Sequence, residues 1–420
     1  HCGLGLAVPE KQIDQTIDSW VYVVRDRGPV SWARLAEGGR QEGDSGPRSP
    51  VMREAMTDPG STLLGLRRDA AALWEERFSP VADALEGVRD LVVVPSGPLL
   101  GVPVEALVLA DGRYAGEVYE ISYAPSATVY ARLGGAELAQ VEPGRSLFVG
   151  DPPFAEAHVA AMEDEPSSPW ELLAMGESAG ADAGLLRSAA AGNPEALSGL
   201  PRLRGSRAEV LLLGEMSGDA DLLLGPDASE QEVVSLAQEG ALSQYRALHI
   251  ATHALVDDEH PEQSALVLSQ VGLPDPLEAA LQGERIYDGL LTAKEIVSEC
   301  DLDADLVTLS ACETGLGREM VGEGYVGFAH AFLQAGARSL VVSLWKVDDR
   351  ATALLMQRFY ENLSGGCSDE RAGRVAEPLP KAEALAEAKA WLRSYEDEGG
   401  RRPYEHPYYW SAFVLIGDRS

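Results

Sequence analysis

Two residues of this chain sit where covalent chemistry on a carbonyl needs them. His253 closes the apolar run 247-ALHIAT-252, and Cys312 closes 305-DLVTLSA-311. Each run reads as a buried strand. A residue just past the carboxyl end of a parallel strand belongs to the sheet edge where α/β proteins collect their reactive groups. Thiol chemistry uses the thiolate as nucleophile, and an imidazole within hydrogen-bond reach is the base that produces it. The stretch after the cysteine, 312-CETGLGREMVGEGYVG-327, is rich in glycine, so its backbone can turn tightly and aim amides at a developing oxyanion. The Cys312 amide is the first candidate donor. The Ala254 amide, which follows the base and is expected to share its loop, is the second.

Neither residue type is specific alone, because a single cysteine is most often a small buried hydrophobe and a single histidine most often structural. His249 lies inside the strand before His253, His260 and His406 precede prolines, and His330 falls in an apolar helical stretch, so each of these reads as structural. Cys2, Cys300 and Cys367 form no CxxC pair and no zinc-type spacing with histidine. No disulfide framework, metal or cofactor is expected, and a reducing cytoplasm fits best.

The elements that must position the pair follow from the hydrophobic pattern. Strands are expected at 91–95, 119–125, 146–152, 245–253, 265–269, 305–312, 338–345 and 412–417, with helices at 229–240, 323–336, 350–363 and 380–396. Apolar strands alternating with amphipathic helices imply a layered α/β fold with a largely parallel sheet. Two short strands flank an Arg-Gly-Pro turn within 19–36, and residues 39–60 read as loop. Residues 155–200, rich in Ala, Gly, Ser and Glu, show no sustained apolar period and read as an acidic surface excursion. Arg202, Arg204 and Arg207 then form a basic cluster, most simply a solvated turn.

With 34 Lys plus Arg against 67 Asp plus Glu, the formal charge of −33 opposes attraction to nucleic acid or anionic lipid. No apolar run is long enough for a membrane span. No GxGxxG or P-loop follows any strand, which sets nucleotide binding aside. The chain starts with His rather than Met and has no signal-peptide pattern, so upstream sequence is expected.

The segments 247-ALHIATHALVDDEHPEQSALVLS-269, 306-LVTLSACETGLG-317, 327-GFAHAFLQAGARSLVVSLWKVDD-349 and 405-EHPYYWSAFVLIG-417 resemble the CHAT peptidases, caspase-like domains often attached to tetratricopeptide repeats. Upstream, 91-LVVVPSGPLLGVPVEAL-107 and 119-YEISYAPSATV-129 resemble that family's amino-terminal half. The resemblance implies a caspase-like three-layer α/β/α sandwich, as in caspases, gingipains and separase, preceded by a smaller amino-terminal α/β lobe. Its implied organisation is 1–60 as the end of an upstream region, 61–154 as the amino-terminal half, 155–200 as the excursion and 201–420 as the catalytic lobe. His253 and Cys312 match the family dyad, 59 positions apart against about 50 in caspases. Two departures stand out: Ser310-Ala311 precedes the cysteine where caspases have Gln-Ala, and Ala254 stands where many relatives have Gly.

The segment 346-KVDDR-350 resembles the wall of the pocket for the residue before the cut. That implies Asp349, with Asp348 adjacent, as a partner for Arg or Lys, and Trp345 as a pocket wall. A helix amino-terminal cap is the competing reading of these aspartates. The implied function is a cysteine endopeptidase acting on specific protein substrates in bacterial signalling or defence, with a regulatory partner or an upstream repeat or sensor region. An Arg preference would make the region of Arg202, Arg204 and Arg207 a site of self-cleavage. The alternative is a catalytically silent caspase-like scaffold.

Overall fold

Strand composition alone separates the layers of this fold. Strands β11 (Leu306–Leu309), β12 (Ser339–Ser343) and β13 (Phe413–Gly417) are buried at every position. A strand buried on both faces must be covered by helices on both sides. The computed structural model describes residues 19–35, 48–96, 99–133, 144–175, 183–190, 193–257, 260–310, 323–365 and 377–420. Its central sheet has eight strands in the order β3-β4-β13-β12-β11-β7-β5-β6. The other strands of that sheet are β3 (Asp90–Val93), β4 (Glu120–Tyr123), β5 (Arg145–Gly150), β6 (Ala220–Leu224) and β7 (Tyr245–Ala251).

All neighbours in the sheet are parallel except β12 and β13. The sheet is therefore two parallel blocks of opposite direction, welded along one antiparallel ladder. The amino-terminal half thus shares its sheet with the rest of the chain. β5, assigned to the amino-terminal half, inserts between β7 and β6, while the last strand, β13, pairs with β4. The reason is hydrogen bonding: β3 and β4 make a two-stranded pair with open backbone edges, and β13 closes one of them.

On one face lie the helices Arg204–Met216, Asp349–Ser364 and Lys381–Ser394, packed against one another or onto the strands. Phe148 of β5 and Ala251 of β7 meet Val210 and Leu213 there. Glu230–Gln238, Ala293–Glu299 and Glu323–Gln334 pack through Val233, Ile296, Phe328 and Phe332 with Leu248, Ile250, Val307 and Leu309. Alternate residues of β7 thus serve opposite layers, as the two-residue strand period requires.

Two further sheets accompany the central one. β1 (Ser19–Val23) and β2 (Ser31–Leu35) form an antiparallel hairpin. β8 (His253–Leu255), β9 (Ala265–Val267) and β10 (Leu290–Thr292) form an antiparallel sheet in the order β10-β9-β8. The strand expected at 265–269 is present as β9 and belongs to this small sheet.

Residues 48–57, read as loop, form the helix Arg48–Thr57, whose Met52 and Met56 are both fully buried. One apolar pair four residues apart suffices to dock a helix of this length, although it is too little to make a periodic signal. The expected surface excursion is likewise corrected. Its described part holds the helices Glu156–Met162, Pro169–Ala174, Ala183–Ala190 and Pro194–Ser198. Leu186, Ala189, Ala196, Leu197 and Leu200 pack with Phe154 against Leu255 of β8 and Val267 of β9. Each helix is too short to show a period, so only the tertiary contact marks it as core.

Candidate active site

β7 and β11 run parallel with His249 opposite Thr308, and Phe148 of β5 lies opposite His249. Two residues further along, Gly150 pairs with Ala251, and the Ser310 amide donates to the Ile250 carbonyl at 3.0 Å. Beyond this row the chain leaves the central sheet. The Thr252 hydroxyl donates to the Val267 carbonyl, and His253 opens β8. His253 therefore stands just past the carboxyl end of β7, at the edge where a parallel α/β sheet offers its binding crevice.

That edge carries a cleft lined by Leu203, Gly205, Ser206, Glu209, Thr252, His253, Ser310, Ser343, Trp345, Lys346, Val347, Asp349, Thr352 and Phe413. It gathers the ends of β7, β11 and β12, the amino end of the Arg204–Met216 helix and that of the Asp349–Ser364 helix. Cys312 and most of the glycine-rich stretch after it, residues 311–322, lie outside the described residues.

His253 is fully buried, with its ring 5.0 Å from that of Phe154. Its Nε2 lies 2.8 Å from the Pro201 carbonyl oxygen. A carbonyl can only accept, so Nε2 carries the proton, and in the neutral ring Nδ1 is then the basic nitrogen. The sequence offered no side chain to orient His253, and a backbone oxygen does so.

Ala254 does not share a loop with the base. It pairs with Leu266 inside the β8–β9 ladder, is almost fully buried, and is not among the cleft-lining residues. This corrects the loop expected after His253: a three-residue strand contains too few residues for an alternating pattern to be read.

The two aspartates separate cleanly. Asp348 caps the helix Asp349–Ser364, accepting from the Ala351 amide at 2.7 Å, which is the competing capping reading. Asp349 lines the cleft together with His253. The helix Arg204–Met216 approaches it so closely that a Cβ on Gly205 would fall 2.2 Å from the Asp349 Cγ. Trp345 is both wall and core: it lines the cleft, is 5% exposed, and donates from Nε1 to the Tyr408 carbonyl at 3.0 Å.

Beneath the cleft lies a polar row that sequence reasoning missed. The Glu209 carboxylate accepts from the Ser310 hydroxyl at 3.0 Å and lies 3.1 Å from His249 Nε2. His249 Nδ1 is 3.3 Å from the Tyr360 hydroxyl, itself 3.1 Å from that of Thr308. Burial raises the Tyr360 phenol above its ordinary value and keeps it protonated. His249 thus has the structural role its place in the strand suggested. None of His260, His330 and His406 lines the cleft.

The basic cluster is not a solvated turn. Arg202, 7% exposed, donates from Nε and Nη2 to Asp151 at 2.7 and 2.6 Å, and from Nη1 and Nη2 to Glu165 at 2.6 Å each. Arg204 joins Glu165 at 3.0 Å, and Arg207 joins Asp151 at 3.4 Å. Burial pushes the Asp151 carboxyl above its ordinary range in spite of Arg202. Burial also opposes charge on Arg202 and Glu165, but there the ion pairs prevail, raising the guanidinium and lowering the carboxyl. The signal in sequence was the cluster itself, conspicuous in so acidic a chain.

Among the described residues no group of three or more His, Cys, Asp or Glu is placed to hold a metal ion. No helix among them is long and apolar enough to cross a membrane.

Tetratricopeptide repeat protein 28 of Homo sapiens is 29% identical over 232 residues, covering 50% of this chain and 8% of that protein. The Mus musculus protein of the same name is 29% identical over 229 residues, with the same coverage. Among solved structures, the Saccharomyces cerevisiae separase–securin complex aligns over 87% of this chain and 20% of that one, at a TM-score of 0.39 and 12% identity. The Arg-specific cysteine proteinase gingipain R aligns over 89% and 73%, at 0.38 and 8% identity. The family model described as the CHAT domain matches residues 67–418, a span that takes in both blocks of the central sheet and every residue of the cleft, and the chain belongs to the CHAT-domain family.

Proposed function

We propose that this chain is a cysteine endopeptidase in which Cys312 is the nucleophile and His253 its base. The observation that carries the reading is the hydrogen bond from His253 Nε2 to the Pro201 carbonyl, which leaves Nδ1 as the basic nitrogen at the carboxyl edge of a parallel sheet. Two peptide units separate Cys312 from Ser310, which lines the same cleft, so its Cα lies within about 7–8 Å of the Ser310 Cα by covalent length alone.

In this mechanism the Cys312 thiol gives its proton to Nδ1, and the thiolate sulfur adds to the peptide carbonyl carbon. The Cys312 amide donates to the oxyanion; Ala254, within its ladder, is the less favoured second donor. Collapse breaks the C–N bond as His253 protonates the leaving amine. Water, deprotonated by His253, then cleaves the thioester and regenerates the thiol.

Asp349 is the specificity residue of the proposal. Its place in the cleft favours a basic P1 side chain, and Arg over Lys, because a guanidinium meets a carboxylate through two parallel hydrogen bonds. Self-cleavage at Arg202 is disfavoured, since its side chain is buried and doubly paired. The substrate class is thus a protein partner with an exposed Arg in a flexible segment.

The test is a peptide library varied at P1, incubated with wild type and Cys312→Ala. Cleavage after Arg that disappears in Cys312→Ala is the expected result. A wild-type chain that cuts nothing, with Cys312 no more reactive than an ordinary thiol, would establish the scaffold reading instead.

A further inference from the structure

We propose that Arg202 is a positioning residue for His253, acting through the Pro201 carbonyl and held by Asp151 and Glu165. The inference rests on the dyad reading above and concerns how the base is kept in one tautomer and one orientation.

The Pro201 carbonyl belongs to the same planar peptide as the Arg202 nitrogen, so fixing Arg202 fixes the direction of that oxygen. The proline ring restricts the other side of the peptide by locking its own φ. The Arg202 fork is then engaged on both edges, with four charge-assisted hydrogen bonds of 2.6–2.7 Å. An ammonium cannot reproduce that geometry.

Asp151 anchors the fork to the sheet. It follows β5 directly, one step past the pair Gly150 and Ala251, and therefore stands beside the turn that carries Thr252 and His253. It is fully buried and adopts φ 55, the one positive φ among described non-glycine residues. Such strain persists only where the surroundings over-determine it. Here the Asp151 amide donates to the Ser206 hydroxyl at 2.9 Å, and its carboxylate takes Arg202 and Arg207.

Buried ion pairs are a poor source of net stability, since desolvation offsets most of the attraction. Apolar residues would tie the 201–206 segment to the sheet without that cost. What the charged fork adds is direction: it sets one peptide plane, and that plane carries the Pro201 oxygen that accepts from His253 Nε2.

The experiment uses the full chain and the library peptide that wild type cuts fastest. Arg202→Lys keeps the charge and loses the fork; Glu165→Gln keeps an acceptor and leaves the Asp151 pair intact. We expect kcat to fall about 10- to 100-fold in Arg202→Lys, because a small misplacement of a reacting group costs that much. Glu165→Gln falls several-fold, and KM changes little in both. The pH inflection for alkylation of Cys312 by iodoacetamide moves upward in both, toward the ordinary thiol value of about 8.5.

A merely structural role is separated by a cycle with His253→Ala: a residue acting through His253 adds no further loss in that background. If Arg202→Lys does not fold, Glu165→Gln decides. Unchanged kcat and inflection in the folded variants, or an equal loss with and without His253, overturns the proposal while the wild type stays active. A wild type with no cleavage and an ordinary thiol overturns the dyad and this inference together.

Discussion

Glu230 should make stability fall as pH rises toward neutrality. It is the first residue of the Glu230–Gln238 helix and is 1% exposed. Its carboxylate accepts from the Gly289 and Asp288 amides at 2.9 and 3.1 Å and lies 3.3 Å from Arg285. Burial dominates these favourable contacts, helped by the neighbouring charges of Glu295 and Asp288, and pushes the pKa from 4.5 to about 7. Between those values the folded chain holds a proton that the unfolded chain has released. Folding is therefore favoured at the acid end, and the advantage is lost as pH climbs to about 7. At 1.36 kcal/mol per unit, the loss is on the order of 3 kcal/mol. Glu230→Gln cannot ionise and removes this slope. Urea unfolding of both proteins from pH 4.5 to 8 reads the difference directly, because the general repulsion of so acidic a chain is nearly common to both. Wild type should lose about 3 kcal/mol relative to the variant across that range. Parallel curves, or a steeper fall in the variant, would refute the reasoning.

Asp349→Ala should lower cleavage after Arg by about 10- to 100-fold, the worth of a charge-assisted pair, and flatten the P1 ranking. Asp348→Ala should instead cost about 1 kcal/mol of stability as a lost helix cap and leave the ranking alone; a ranking that follows Asp348 reverses the assignment. Gly205→Ala, which sets a Cβ 2.2 Å from the Asp349 Cγ, should displace Asp349 and reduce Arg cleavage several-fold; unaltered kinetics would mean that the cleft wall yields freely. Burial pushes the Cys300 thiol up to about 12, so mass spectrometry after brief iodoacetamide treatment at pH 7.5 should find Cys312 labelled and Cys300 untouched. Equal labelling of the two would remove the case for an activated Cys312.

Segments with a strong local pattern, unbroken apolar strands and amphipathic helices, were legible in the sequence. The strand runs ending near His253 and Cys312 and the helices at 230–238, 349–364 and 381–394 are of this kind. Short elements were mostly not: the helices between 156 and 198 and the strand β10 hold too few residues to express a period. Their core faces exist only against one another.

Sequence by itself determined the residue types of the proposed chemistry, their order, and the strands that end beside them, since those follow from hydrophobic spacing and side-chain reactivity. Tertiary structure decided the rest. It welded the two halves into one sheet through β13, turned the basic cluster into a buried fork on Asp151 and Glu165, and gave Asp348 to a helix cap while leaving Asp349 in the cleft. It also brought the Pro201 carbonyl to His253 across 52 positions of chain. The physical reason is that a backbone oxygen has no sequence signature, and a charge becomes structural only when the fold removes it from water next to its partner.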